Sequence, residues 1–118
     1  MRRDALLPAD IVEAADFIAG FLAGCDLDQF RGSELLRSAV AQKLAVIGEA
    51  ASHVSADIRD RNAAVPWAQI VAFRNILTHA YFSVDWEIVW RTATVRCPEL
   101  RRQIAQVVDG KGERPDRG

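Results

Sequence analysis

The chain has little of several things. Its 118 residues include two cysteines, two histidines, one methionine and one tyrosine. Cys25 and Cys97 stand far apart and neither belongs to a Cys-x-x-Cys pair, so neither a disulfide framework nor a zinc site is suggested. A reduced, cytoplasmic protein without metal or cofactor is the resulting expectation. Net charge is also lacking: 15 Lys and Arg face 16 Asp and Glu, for a formal charge of -1. With no overall basic field to hold nucleic acid, any RNA contact must come from a local cluster. No apolar run approaches the ~20 residues of a membrane span. The stretch from Ala5 to Ala9 that follows Met1-Arg2-Arg3, bracketed by Asp4 and Asp10, is too short for the core of a signal peptide. Strand patterns of useful length and internal repeats are absent too.

What is present is helical periodicity in a chain long enough for one domain, half of it apolar. Ile11, Ala15, Ile18 and Leu22 follow the four-and-three spacing of one helix face, and Gly24 with Asp26 and Asp28 closes that segment. From Ser33, the stripe Leu36, Val40, Leu44, Ile47, Ala51 and Val54 predicts a second helix of about 33 Å. Gly48 inside it costs about 1 kcal/mol relative to alanine, tolerable where a neighbouring helix must approach closely. Residues Ala56 to Val65 read as a solvated connection with one helical turn. Pro66 suits the first position of a third helix carrying Ile70, Phe73 and Leu77 inward and ending between His79 and Ser83. Asp85 caps a fourth helix whose first turn holds Glu87 and whose apolar face holds Trp86, Val89, Trp90 and Ala93. Cys97-Pro98 should interrupt it, because proline disfavours helical backbone in the residue before it. A last helix runs from Pro98 to about Val108. The tail from Gly110 to Gly118 has no apolar residue to bury and reads as disordered, leaving residues 1–109 as one domain. The fold class is all-α, an up-and-down bundle of four to five helices.

The chemistry gathers at the end of the third helix: Arg74, Asn75, Thr78, His79 and Tyr81. At 100° per residue Asn75 and His79 lie about 40° apart, whereas Arg74 and His79 lie about 140° apart, so one helix alone builds no Arg–His site. A site using both needs the helix to finish near His79, or a second subunit to supply the other half. An imidazole exchanges protons near neutral pH with a ribose 2′-hydroxyl or a leaving 5′-oxygen, and an arginine holds the phosphate. The set therefore suits RNA cleavage without metal. Arg74 and His79 paired with surface carboxylates would look the same from spacing alone. Trp67, Trp86 and Trp90 sit at helical core positions, which favours packing over base stacking. Arg59, Arg61, Arg101 and Arg102 are interspersed with carboxylates and read as solvated faces. His53, at the end of the second helix, is given no catalytic part.

Arg74-Asn75-Ile76-Leu77-Thr78-His79-Ala80-Tyr81 resembles the Arg-x4-His-x-Tyr signature of HepT-like proteins, a branch of the HEPN superfamily. Ile47-Gly48-Glu49-Ala50 resembles that family's Ile-Gly-Glu-Ala segment, and Val65-Pro66-Trp67 its Pro-Trp helix start. The aromatic turn Tyr81 to Asp85 and the later Cys97-Pro98-Glu99-Leu100 follow in family order, so that the resemblance spans roughly residues 4–108. It implies a HEPN-like helical homodimer acting as the ribonuclease toxin of a type VII toxin–antitoxin pair. On that resemblance Arg74 and His79 are the catalytic pair and Asn75 supports them. Tyr81 is the hydroxyl that a partner nucleotidyltransferase antitoxin, MntA, adenylylates to silence the toxin, by adding charge that competes with RNA for Arg74. Glu49 is a weaker candidate for the same cleft, as an inter-helix polar contact would also account for it. The alternative is a non-catalytic, nucleotide-binding or partner subunit of a nucleotidyltransferase.

Overall fold

The computed structural model describes residues 2–110. Among the described residues there are only helices and turns: α1 (Arg2–Leu22), α2 (Leu27–Arg31), α3 (Glu34–Ser52), α4 (Ala56–Arg61), α5 (Trp67–His79), α6 (Trp86–Arg91) and α7 (Cys97–Gly110). A 3-10 turn covers Tyr81–Ser83, and a π-helical segment, Thr92–Arg96, joins α6 to α7 without a break. The expected tail lies outside the described residues except for Gly110, the last residue of α7.

α3 is the central rod. It packs against α1 on one side and α5 on another, while α7 closes the far side of α1. Its buried face explains how it serves two neighbours: Ala41, Gly48, Ala50 and Ala51 are small enough for close approach, and Val40, Leu44 and Ile47 fill the seams. Ile11, Ile18, Phe30, Val40, Val89 and Ile104 are completely enclosed. Removing a ring such as that of Phe30 would cost about 3–5 kcal/mol.

The ends are fixed by local chemistry. Gly24, at φ +73°, takes the left-handed conformation that stops α1. Ser33 accepts a hydrogen bond from the Leu36 amide, Ser55 one from Ile58, and Asp85 one from Glu87. α3 ends at Ser52, two residues short of the expected stripe, yet Val54 still turns inward and is buried.

Three expectations are corrected. Residues Leu27–Arg31, unread in the sequence, form a helix because Asp26 and Gln29 make a reciprocal capping box, each side chain accepting from the other's amide at 2.8 and 2.9 Å. Pro66 is the residue before α5 rather than its first, its carbonyl accepting from the Ile70 amide. Pro98 does not break the chain. The Cys97 amide reaches back five residues to the Thr92 carbonyl, and this wider turn makes room for a ring that would otherwise meet the carbonyl four residues earlier. The Thr94 hydroxyl donates to the Trp90 carbonyl at 2.8 Å, satisfying a group in the shifted ladder.

The tryptophans are core residues. Trp67 is buried and donates its indole N–H to the Asn62 carbonyl at 3.1 Å. Trp86 and Trp90 pack against Phe30 with ring centroids 6.1 and 5.5 Å away.

Candidate active site

Arg74 is seated by a missing side chain. A Cβ built on Gly48 would lie 2.2 Å from the Arg74 Cβ and 2.7 Å from its Cγ, so only glycine lets α5 cross α3 with the arginine stem against the backbone. The expectation that Gly48 marks a close helix contact is thus met at the signature arginine itself. From that seat an Arg74 Nη1–H donates to Glu49 Oε1, an ion pair between α5 and α3. The Arg74 Nε is buried and has no protein partner among the described residues.

Glu49 serves a second group. Its other oxygen, Oε2, lies 2.9 Å from His53 Nε2 one turn further along α3. The His53 hydrogen bond lowers the Glu49 carboxyl from its ordinary value; burial opposes it, and the charges of Arg74 and His53 add to the fall. Glu49 is therefore the inter-helix contact weighed from the sequence, and it carries Arg74 and His53 together. The sequence reading missed His53; its signal was the i, i+4 spacing from Glu49 on one helix face.

His79 is placed differently. It is the last residue of α5, exposed, as are Asn75 and Thr78. Among the described residues no side-chain hydrogen bond engages the His79 ring or the Asn75 amide, while Thr78 donates back to the Arg74 and Asn75 carbonyls. Among the described residues no side-chain hydrogen bond links Asn75 or His79 to the Arg74 guanidinium. Two large apolar side chains lie open beside this face, Ile76 at 49% and Phe82 at 100% exposure.

Tyr81 is half-buried. Its hydroxyl lies 3.0 Å from Ser38 Oγ, and its ring meets Trp86 and Phe82 edge-on with centroids 5.4 Å from each. Ser38 precedes Gly48 by ten residues on α3, a separation of about 15 Å along the helix. Tyr81 and Arg74 thus touch different stretches of α3, Tyr81 at Ser38 and Arg74 at Gly48.

The surface arginines are paired as solvated faces, Arg61 with Asp57, Arg101 with Asp16 and Arg102 with Glu99. Two hollows are formed. One of about 350 Å³ between α1 and α3 is lined by Asp10, Glu13, Lys43, Glu49 and His53, among others. A larger groove of about 710 Å³ runs between α5 and the α6–α7 rod over Leu44 and Ile47, with Arg91 and Arg96 at its rim. Neither takes in Arg74, Asn75, His79 or Tyr81. Among the described residues no helix is long and apolar enough to cross a membrane, and no group of three or more His, Cys, Asp or Glu side chains is placed to hold a metal ion.

Comparison with known proteins identifies the family. The family described as "Ribonuclease HepT-like" matches residues 11–107. The chain is 33% identical over 95 residues to "Putative RNase MJ1380" of Methanocaldococcus jannaschii, covering 80% of this chain and 87% of that protein. It is 32% identical over 98 residues to "Probable ribonuclease HepT" of Thermococcus cleftensis, covering 83% and 89%. "Putative RNase TTE0752" of Caldanaerobacter subterraneus is 30% identical over 98 residues, covering 83% and 88%. No solved structure matches the chain. An all-α chain with the Arg-x4-His signature on its α5 rod and a family match over most of its length belongs to the HepT-like ribonuclease family.

Proposed function

We propose that this ribonuclease is the toxin of a type VII toxin–antitoxin pair, a metal-independent endoribonuclease whose site is completed across a homodimer. The observation that carries the reading is the split signature: Arg74 is fixed against Gly48, while His79 and Asn75 face outward with Ile76 and Phe82 exposed around them. A second copy laid on this face covers the apolar side chains and brings its own Arg74 and His79 into one cleft. There Arg74 holds the scissile phosphate. The ribose 2′-oxygen attacks phosphorus and gives its proton to a base. The bond to the 5′-oxygen breaks and that oxygen takes a proton from an acid. In each site His79 of one subunit, facing Arg74 of the other, takes one of these two roles and water the other, and Asn75 orients the imidazole or the phosphate.

Tyr81 is the proposed site of silencing by an MntA-like nucleotidyltransferase. The phenolic oxygen attacks the α-phosphorus of ATP, pyrophosphate leaves and the phenolic proton is lost. Because Tyr81 rests on Ser38, its hydroxyl must first release that hydrogen bond. The added adenylyl group then blocks the dimer cleft by bulk and charge rather than by pairing with Arg74 of its own chain.

Cleavage of RNA by the purified chain, unaffected by chelator and lost in both His79→Ala and Arg74→Ala, tests the enzyme. Full activity in His79→Ala would remove that imidazole from the reaction, and no cleavage by the purified parent would favour a non-catalytic binding subunit. Intact mass after co-expression with a nucleotidyltransferase tests the modification: the parent gains AMP and Tyr81→Phe does not.

A further inference from the structure

Arg74 reaches solvent through a carboxylate that is shared. Glu49 gives Oε1 to Arg74 and Oε2 to His53, so the three side chains form one continuous chain of charge-assisted hydrogen bonds across the α3/α5 crossing. The formal charge of the trio depends on one proton. With His53 neutral, the arginine and the carboxylate cancel; with His53 protonated, one positive charge remains. An anion approaching Arg74 meets a neutral surface in the first state and a cationic one in the second.

We propose that His53, acting through Glu49, is a positioning residue that sets the direction and the available charge of Arg74 for the RNA phosphate. Protonated His53 draws the shared carboxylate to itself, and the guanidinium is then free to turn its remaining N–H groups to an anion. Neutral His53 leaves Glu49 to Arg74 alone. The charged groups around the pair are those of three helices: Asp10 and Glu13 of α1 and Lys43 of α3 line the same hollow as Glu49 and His53, and α5 contributes Arg74. Lys43 is held over the Phe17 ring, 4.4 Å from its centroid. The inference rests on Arg74 being the phosphate-binding residue.

The chain has only two histidines, so the test is clean. In a His79→Ala background His53 is the sole imidazole, and RNA is bound without being cut by His79. The dissociation constant of a short single-stranded RNA is measured by fluorescence anisotropy from about pH 5 to 8, the range in which an imidazole titrates. Affinity should weaken about two- to five-fold as pH rises, the effect expected of one partly exposed charge. Adding His53→Gln, which keeps a hydrogen-bonding side chain but cannot titrate, should flatten the profile. Adding Glu49→Gln should keep binding tight at the high-pH end. In the enzyme with His79 intact, Glu49→Gln should lower KM and kcat together, because the charge is freed and the aim is lost. A pH dependence unchanged by His53→Gln, or no measurable binding at any pH, overturns the proposal. If the parent chain cleaves no RNA while the binding titration behaves as described, the ribonuclease reading fails and the coupling of His53 to Arg74 stands.

Discussion

The two ends of the signature are built on opposite principles. At Arg74 the fold fixes the side chain: a glycine makes the seat, the stem lies against α3, and Glu49, itself paired with His53, takes one guanidinium N–H. At His79, one and a half turns later, the helix ends in the open with no side-chain partner among the described residues, and the exposed Ile76 and Phe82 stand nearby. A phosphate-holding charge gains from being fixed before the substrate arrives, and a proton-transfer group that meets its partner only in an assembly must be left uncommitted. On the proposed roles, the phosphate-holding half is fixed within the chain and the proton-transfer half is left open.

Substitutions should respect that division. The largest effects are on rate: His79→Ala and Arg74→Ala should each lower RNA cleavage by about 10²–10⁴. They should differ in stability. His79→Ala should leave the thermal midpoint where it was, while Arg74→Ala, losing its packing and ion pair, should lower it. Circular dichroism melting of the two variants side by side measures the difference, and equal midpoints would break the contrast.

Gly48→Ala sharpens it. The added methyl must displace the Arg74 stem, so stability should fall by about 1–3 kcal/mol and cleavage with it. Chemical denaturation with an activity assay on the same protein reads both effects.

At the open end, Tyr81→Phe and Ser38→Ala should each cost about 0.5–1.5 kcal/mol, and the double variant should cost little more than either, since both remove the same hydrogen bond. Additive losses would mean that the pair is not coupled.

The smallest effect is acid sensitivity. Glu49 is held below its ordinary value of 4.5, so the stability it contributes is present above that pH and lost as pH falls through the lowered folded value. Glu49→Gln should remove this part of the acid slope and leave the rest. Urea melts at a series of acidic pH values would show it.

Much of this was legible in the sequence, and the reasons it was not entirely so are local. The stripes of α1 and α3, the Asp85 cap and the end of α5 at His79 follow from helical period and capping chemistry. The role of Gly48 as a contact was legible too, but not that the contact is Arg74, because nothing in one helix says which residue of another will cross it. The continuity through Pro98 was hidden since a π turn leaves no period to read. His53 was passed over because its link to the site runs through a carboxylate on its own helix and reaches Arg74 only in three dimensions. The aromatic surplus of α6, which reads from the sequence as packing, lies against Phe30, and Phe17 and Phe82 are left exposed.

The central claim, that a fixed Arg74 and a free His79 meet only between subunits, is tested most directly by mixing. Arg74→Ala and His79→Ala chains are unfolded together, refolded and shown by native mass spectrometry to form mixed dimers. A cleft drawing Arg74 from one chain and His79 from the other should regain RNA cleavage in the mixture, at about half the parental rate per mixed dimer if it holds two such sites and one is restored. A mixture of verified heterodimers as inactive as either variant alone would contradict the account.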